Sequence, residues 1–106
     1  MITAKIFSNG ERITGFSILG HSGTAPKGSD IYCAGVSALS QSAYLCLVKH
    51  LKCKVEWTQA SGELTVRLKN KPNARTEAAF QTMLLGLIEI EKLKPDALKV
   101  IRDAEN

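Results

Sequence analysis

The residues best suited to chemistry in this chain are Cys33, His21 and Asp30. A cysteine becomes a strong nucleophile as its thiolate, which needs a positive environment or a nearby base. Ser29 and Asp30 are both good helix N-caps, and after them Tyr32, Val36, Leu39, Ala43, Leu47 and Leu51 recur at intervals of three and four. This spacing predicts a helix from Ile31 to His50. With Asp30 as N-cap, Cys33 is the third helical residue, beside the unpaired N–H groups of the first turn and the positive end of the helix dipole. A thiolate is favoured there. The same amides can receive the negative oxygen of a tetrahedral intermediate, the N–H of Cys33 itself being the natural first donor.

His21 opens the segment from Gly20 to Ser29, which holds Gly20, Gly23, Gly28 and Pro26 and little that is hydrophobic. Such a segment reads as a mobile loop that can fold back on the helix start. An imidazole brought within ~3–4 Å of the Cys33 sulfur would share its proton as an ion pair and later protonate a leaving amine. Asp30 either orients that imidazole or caps the helix, and one carboxylate can do both. The plainer alternatives are that Cys33 is a small buried hydrophobe and His21 a surface polar group. Cys46 falls mid-helix and Cys53 on a strand, and neither has an activating feature, so both read as structural. Metal binding by His21, Asp30, Cys33, His50 and Cys53 meets a geometric objection. Cys33 and His50 lie about 25 Å apart along one helix, and His50 with Cys53 makes too few ligands for a structural zinc.

These residues need a scaffold. Ile2, Ala4 and Ile6 alternate with polar positions up to Asn9-Gly10, a pair suited to a tight hairpin, and Arg12 to Leu19 reads as the returning strand. A second hairpin pairs Cys53, Val55 and Trp57 with Leu64, Val66 and Leu68 around Ala60-Ser61-Gly62-Glu63. Asn73 can cap a long helix with Phe80, Met83, Leu84, Leu87, Ile88 and Leu93 on its apolar face. Pro95 ends or kinks that helix at Lys94, and Asp96 to Arg102 reads as one or two further helical turns. Strand, strand, helix, repeated once, predicts a two-layer α+β fold, an antiparallel sheet covered by two helices. Ala34, Gly35, Ser37, Ala38 and Ser42 form a face of small residues on the first helix, fit for close approach by another helix or by the sheet.

Composition sets the outer bounds. A chain of 106 residues with 44% hydrophobic and 23% charged residues reads as one ordinary globular domain. The first residues lack the apolar core of a secretory signal, and no apolar run approaches the ~18 residues that span a bilayer, so a cytoplasmic protein without membrane contact is expected. The three cysteines, an odd number, are expected as free thiols. The net charge of +4 permits nucleic-acid contact, but Lys and Arg are spread along the sequence without a dense cluster, which argues against RNA binding as the main role.

The stretches Gly20-His21-Ser22-Gly23 and Gly28-Ser29-Asp30-Ile31-Tyr32-Cys33-Ala34-Gly35-Val36-Ser37-Ala38-Leu39 resemble the signature of the Prp family of ribosomal-processing cysteine peptidases. The resemblance implies a β-β-α-β-β-α homodimer whose histidine and cysteine dyad falls on His21 and Cys33. It also implies removal of the N-terminal tail of a large-subunit ribosomal protein, the one that reaches toward the peptidyl-transferase centre, with no cofactor. Asp30 and Ser37 become supporting residues of the site, and Gly20, Ser22, Gly23 and Gly28 belong to a loop that closes over the peptide. Ser22 stands where many relatives carry alanine, and Tyr32 is larger than the usual aliphatic residue. The rival is a noncatalytic ribosome-associated or RNA-binding module, with a purely structural homodimer behind it.

Overall fold

The computed structural model describes residues 1–20, 30–60 and 62–105. Strand β1 (Ile2–Asn9) buries Ile2, Ala4 and Ile6 on one face, as alternation requires. The chain reverses at Gly10, whose φ of 68° suits glycine, into β2 (Arg12–Gly20). A register irregularity between Phe7 and Ser8 lets Ile13 as well as Phe16 reach the core.

Helix α1 (Ile31–Leu45) starts at the Asp30 N-cap and continues as a π-helical turn over Cys46–His50, so the helical stretch has the expected bounds with a wider final turn. Leu51 N–H donates to Cys46 O at 2.9 Å, Lys52 follows at φ 56°, and Cys53 N–H returns to Leu47 O at 2.8 Å. These bonds close off the helix end and turn the chain into β3 (Val55–Ala60), which pairs antiparallel with β4 (Glu63–Leu68). Helix α2 (Ala74–Leu93) opens with a capping box. Asn73 Oδ1 accepts from Arg75 N and Thr76 N, while Thr76 Oγ1 accepts from Asn73 N. It stops just before Pro95, as expected.

The segment after Pro95 departs from its sequence reading. Instead of further helical turns, Leu98–Ala104 forms a strand, β5, running parallel to β1 from Ile2↔Leu98 to Ser8↔Ala104. Leu98 and Val100 alternate with Lys99, a period of two that fits a strand, and β1 offers an edge to pair with. The sheet order is β3-β4-β2-β1-β5, antiparallel except for this last pairing, which makes it mixed.

One sheet face is covered by both helices, giving the expected two-layer α+β arrangement. Phe16 and Phe80 meet edge to face at 6.2 Å, among Val36, Leu47, Val66, Met83, Leu84 and Leu87. The helices pack closely: a Cβ on Gly86 would lie 2.8 Å from Leu39 Cδ1, and one on Gly35 would lie 3.2 Å from Ile90 Cδ1. The small residues of α1 therefore serve, at Gly35, the approach of a helix rather than of the sheet. Helix carboxylates also tie this layer to the strands, Glu77 accepting from Ile13 N and Glu91 from Val100 N, each at 2.7 Å.

The stretch Ile31–His50 is long and apolar enough on average to cross a bilayer, contrary to the sequence reading. Here it packs on α2 and the sheet through Val36, Ala43 and Leu47.

Candidate active site

Cys33 is the third residue of α1, and the reason is the cap. Asp30 adopts extended backbone (φ −83°, ψ 103°), and its Oδ1 accepts from Tyr32 N and Cys33 N, both at 3.0 Å. Its carbonyl accepts from Ala34 N at 3.1 Å. Capping, one of the two roles open to Asp30, is thus present; the other, orienting the His21 imidazole, falls on a residue outside the described ones. The cap carries a correction: the Cys33 N–H, expected as the first oxyanion donor, is given to the capping carboxylate. An Asp at the N-cap takes the second and third amides of a helix by its own geometry. That leaves the Ile31 N–H as the first-turn amide Asp30 does not engage.

The Cys33 side chain is half-buried, touching the core on one side and lining a cleft of about 180 Å³ on the other. It is neither sealed inside nor fully in solvent. The cleft floor is apolar, from Ile2, Ile18, Val36 and Leu64, and its walls carry Ser37, Gln41, Gln59 and Glu63. Ser37 and Gln41 follow Cys33 at steps of four residues, so one helix face presents all three. Buried Ser40 donates to Ser37 O at 3.2 Å, satisfying its hydroxyl within the helix.

Gly20 belongs to the end of β2 rather than to the loop assigned to it. Its φ is 95°, and a Cβ there would stand 2.5 Å from the Met1 carbonyl oxygen. Its N–H donates to Gly62 O at 2.7 Å, clamping the end of β2 to the β3–β4 turn on the cleft rim. His21, Ser22, Gly23 and Gly28 lie outside the described residues. Cys46 and Cys53 are free thiols packed against the core, in keeping with a structural role. Among the described residues no group of three or more His, Cys, Asp or Glu gathers at one place to hold a metal ion.

The sequence reading missed Gln41, Gln59 and Glu63. Gln41 was within reach, since it continues the Cys33–Ser37 spacing. Gln59 and Glu63 arrive through the β3–β4 turn, a tertiary placement that local spacing does not reveal.

A family model of the cysteine protease Prp matches residues 1–99. The chain belongs to the Prp family. Among solved structures, the ribosomal processing protease Prp of Staphylococcus aureus with a covalently linked product peptide superposes at a TM-score of 0.91. It is 25% identical over 97% of this chain and 100% of that one. The same protease with a substrate peptide superposes at 0.85, with 24% identity over 97% and 100% of the two chains. The Streptococcus mutans protein SMU.848 gives 0.86, with 22% identity over 99% of each chain. No curated relative matches the sequence. Of the three thiols, Cys33 alone combines a helix start with a place on this cleft.

Proposed function

We propose that this chain is the endopeptidase that removes the N-terminal extension of a large-subunit ribosomal protein, with Cys33 as nucleophile and His21 as base. The observation that carries the reading is a half-buried thiol at the start of α1, on the wall of a cleft with an apolar floor. The Staphylococcus aureus relative, which holds a covalently linked product peptide, supports a covalent route.

In this route the Cys33 sulfur attacks the scissile carbonyl carbon, and its proton passes to His21. The carbonyl oxygen becomes an oxyanion, for which the Ile31 amide is the described first-turn donor left by the Asp30 cap. Collapse of the intermediate breaks the C–N bond, His21 protonates the leaving amine, and a thioester remains. Water then attacks that thioester with His21 again taking a proton, releasing the acid and restoring the thiol. Ser37 and Gln41 hydrogen-bond the extended peptide, and Ile2, Ile18 and Leu64 receive its apolar side chains. The parts given to His21, and to Ser22, Gly23 and Gly28 as the substrate loop, rest on the motif they share with the family.

The working form is a homodimer in the cytoplasm, where the ribosomal substrate is made. An exposed stripe of Ile31, Ala34, Ala38 and Leu45 along α1 supports self-association. The deciding experiment incubates the protein with a peptide carrying the ribosomal extension. A single cut is expected, lost in Cys33→Ser and in His21→Ala; peptide left intact by the unmodified protein overturns the reading.

A further inference from the structure

The fold gathers cations that the sequence spreads out. Lys49, Lys52 and Lys54 lie on the exit from α1, and Lys69, Lys71 and Arg75 on the entry to α2, six of the chain's 14 Lys and Arg residues. All six are exposed, as is His50, and neither segment (49–54 and 69–75) contains an Asp or Glu. The two segments are fastened together. Lys69 N–H donates to Lys54 O at 2.9 Å, Lys54 N–H donates to Asn70 Oδ1, and Val55 pairs with Leu68 just beyond. On the other side Arg75 and His50 flank one concavity of about 470 Å³ floored by Leu51, Ala78 and Ala79. The two ion pairs among the described residues, Arg67–Glu105 and Lys92–Glu89, involve none of these cations.

Lys52 adds an independent sign. It is the one non-glycine described residue with positive φ, at the position after a helix where glycine or asparagine ordinarily sits. A lysine there places a charge at the cost of a backbone strain that glycine would remove.

We propose that this end of the molecule is a second binding surface, for the phosphate backbone of RNA. Unlike a membrane-binding face, neither segment, 49–54 or 69–75, carries an exposed large apolar side chain. This end offers instead exposed cations, with Asn70 and Asn73 among those of 69–75, the donors that contact phosphate and sugar. The surface lies at the opposite end of α1 from Cys33, roughly 25 Å away by helical rise. RNA held there leaves the cleft open, so a peptide still attached to an RNA-bound protein can be presented to the thiol.

The test is fluorescence polarisation with a labelled RNA hairpin between about 50 and 200 mM KCl. Six phosphate contacts would give a log–log salt slope of roughly −4 to −5. Changing Lys49, Lys54, Lys69 and Lys71 together to Gln is expected to weaken binding at least about tenfold and to flatten the slope by roughly three. Changing Lys5, Arg12, Lys92 and Lys99 to Gln, an equal loss of charge elsewhere, is expected to change affinity far less. Lys52→Gly guards against a folding artefact, because it should raise Tm while weakening RNA binding several-fold. The proposal is overturned if unmodified protein fails to bind at 50 mM KCl, if both quadruple variants lose affinity equally, or if Lys52→Gly binds as tightly as the parent. It is equally overturned if phosphatidylserine vesicles capture the protein more tightly than the hairpin does.

Discussion

Replacing Gly20 by alanine separates two physical costs at the edge of the site. The first is conformational: Gly20 has φ 95°, a region in which an L-residue loses about 1–2 kcal/mol. The second is steric. The new Cβ would meet the Met1 carbonyl oxygen at 2.5 Å, a backbone atom of the paired strand that cannot swing aside as a side chain would. Relief means spreading the end of the β1–β2 pairing at Ile2↔Gly20, which overpacking precedents put at about 1–3 kcal/mol. Together these predict a loss of about 2–5 kcal/mol, or a fall in Tm of roughly 10–25 °C for a domain of this size. Gly10→Ala is the matched control, since Gly10 has φ 68° but nothing within 4 Å of its added Cβ. It should show the conformational cost alone. Urea unfolding of both variants, compared at equal m-value, gives the difference directly. If Gly20→Ala proves no less stable than Gly10→Ala, the close approach at the strand end is not a constraint and the argument fails.

Other outcomes follow from the same geometry. Phe80→Ala, which removes a fully buried ring packed on Phe16, should cost about 3–5 kcal/mol in denaturant unfolding. Asn73→Ala breaks the α2 capping box and should cost about 1–2 kcal/mol, with peptide cleavage unchanged at temperatures where the variant stays folded. Gln41→Ala, on the cleft wall one turn beyond Ser37, should raise KM several-fold with kcat little altered; an unchanged KM would place the peptide elsewhere. Alkylation with iodoacetamide should abolish cleavage in step with modification of Cys33, as read by peptide mass mapping, and modification confined to Cys46 or Cys53 should leave it intact.

Much of the scaffold was legible because periodicity is a local property. The Asn9-Gly10 turn, the Asp30 and Asn73 caps and the stop before Pro95 each depend on a few adjacent residues, and each lies where those residues put it. The strand Leu98–Ala104 was read as helical turns because its stability comes from a partner at the other end of the sequence. The site divides in the same way. Cys33 as third helical residue follows from Asp30 alone, and so does the loss of its N–H to that cap, once the geometry of an aspartate N-cap is followed through. The contribution of Gln59 and Glu63, and the gathering of lysines from two segments, exist only after β3 and β4 have paired.

The parallel pairing of β1 with β5 has a bearing on how the chain acquires its shape. β1 emerges before β5 in synthesis, so one of its edges has no neighbour until residues 98–104 are made, and Ile2 N–H waits for the carbonyl of Ala97. On the translating ribosome the nascent sheet therefore carries an open rim until that segment follows, a template for stray β-pairing. Closing it joins segments from distant parts of the chain, a step of large loop entropy, so the final docking of this strand is expected to set the pace of folding.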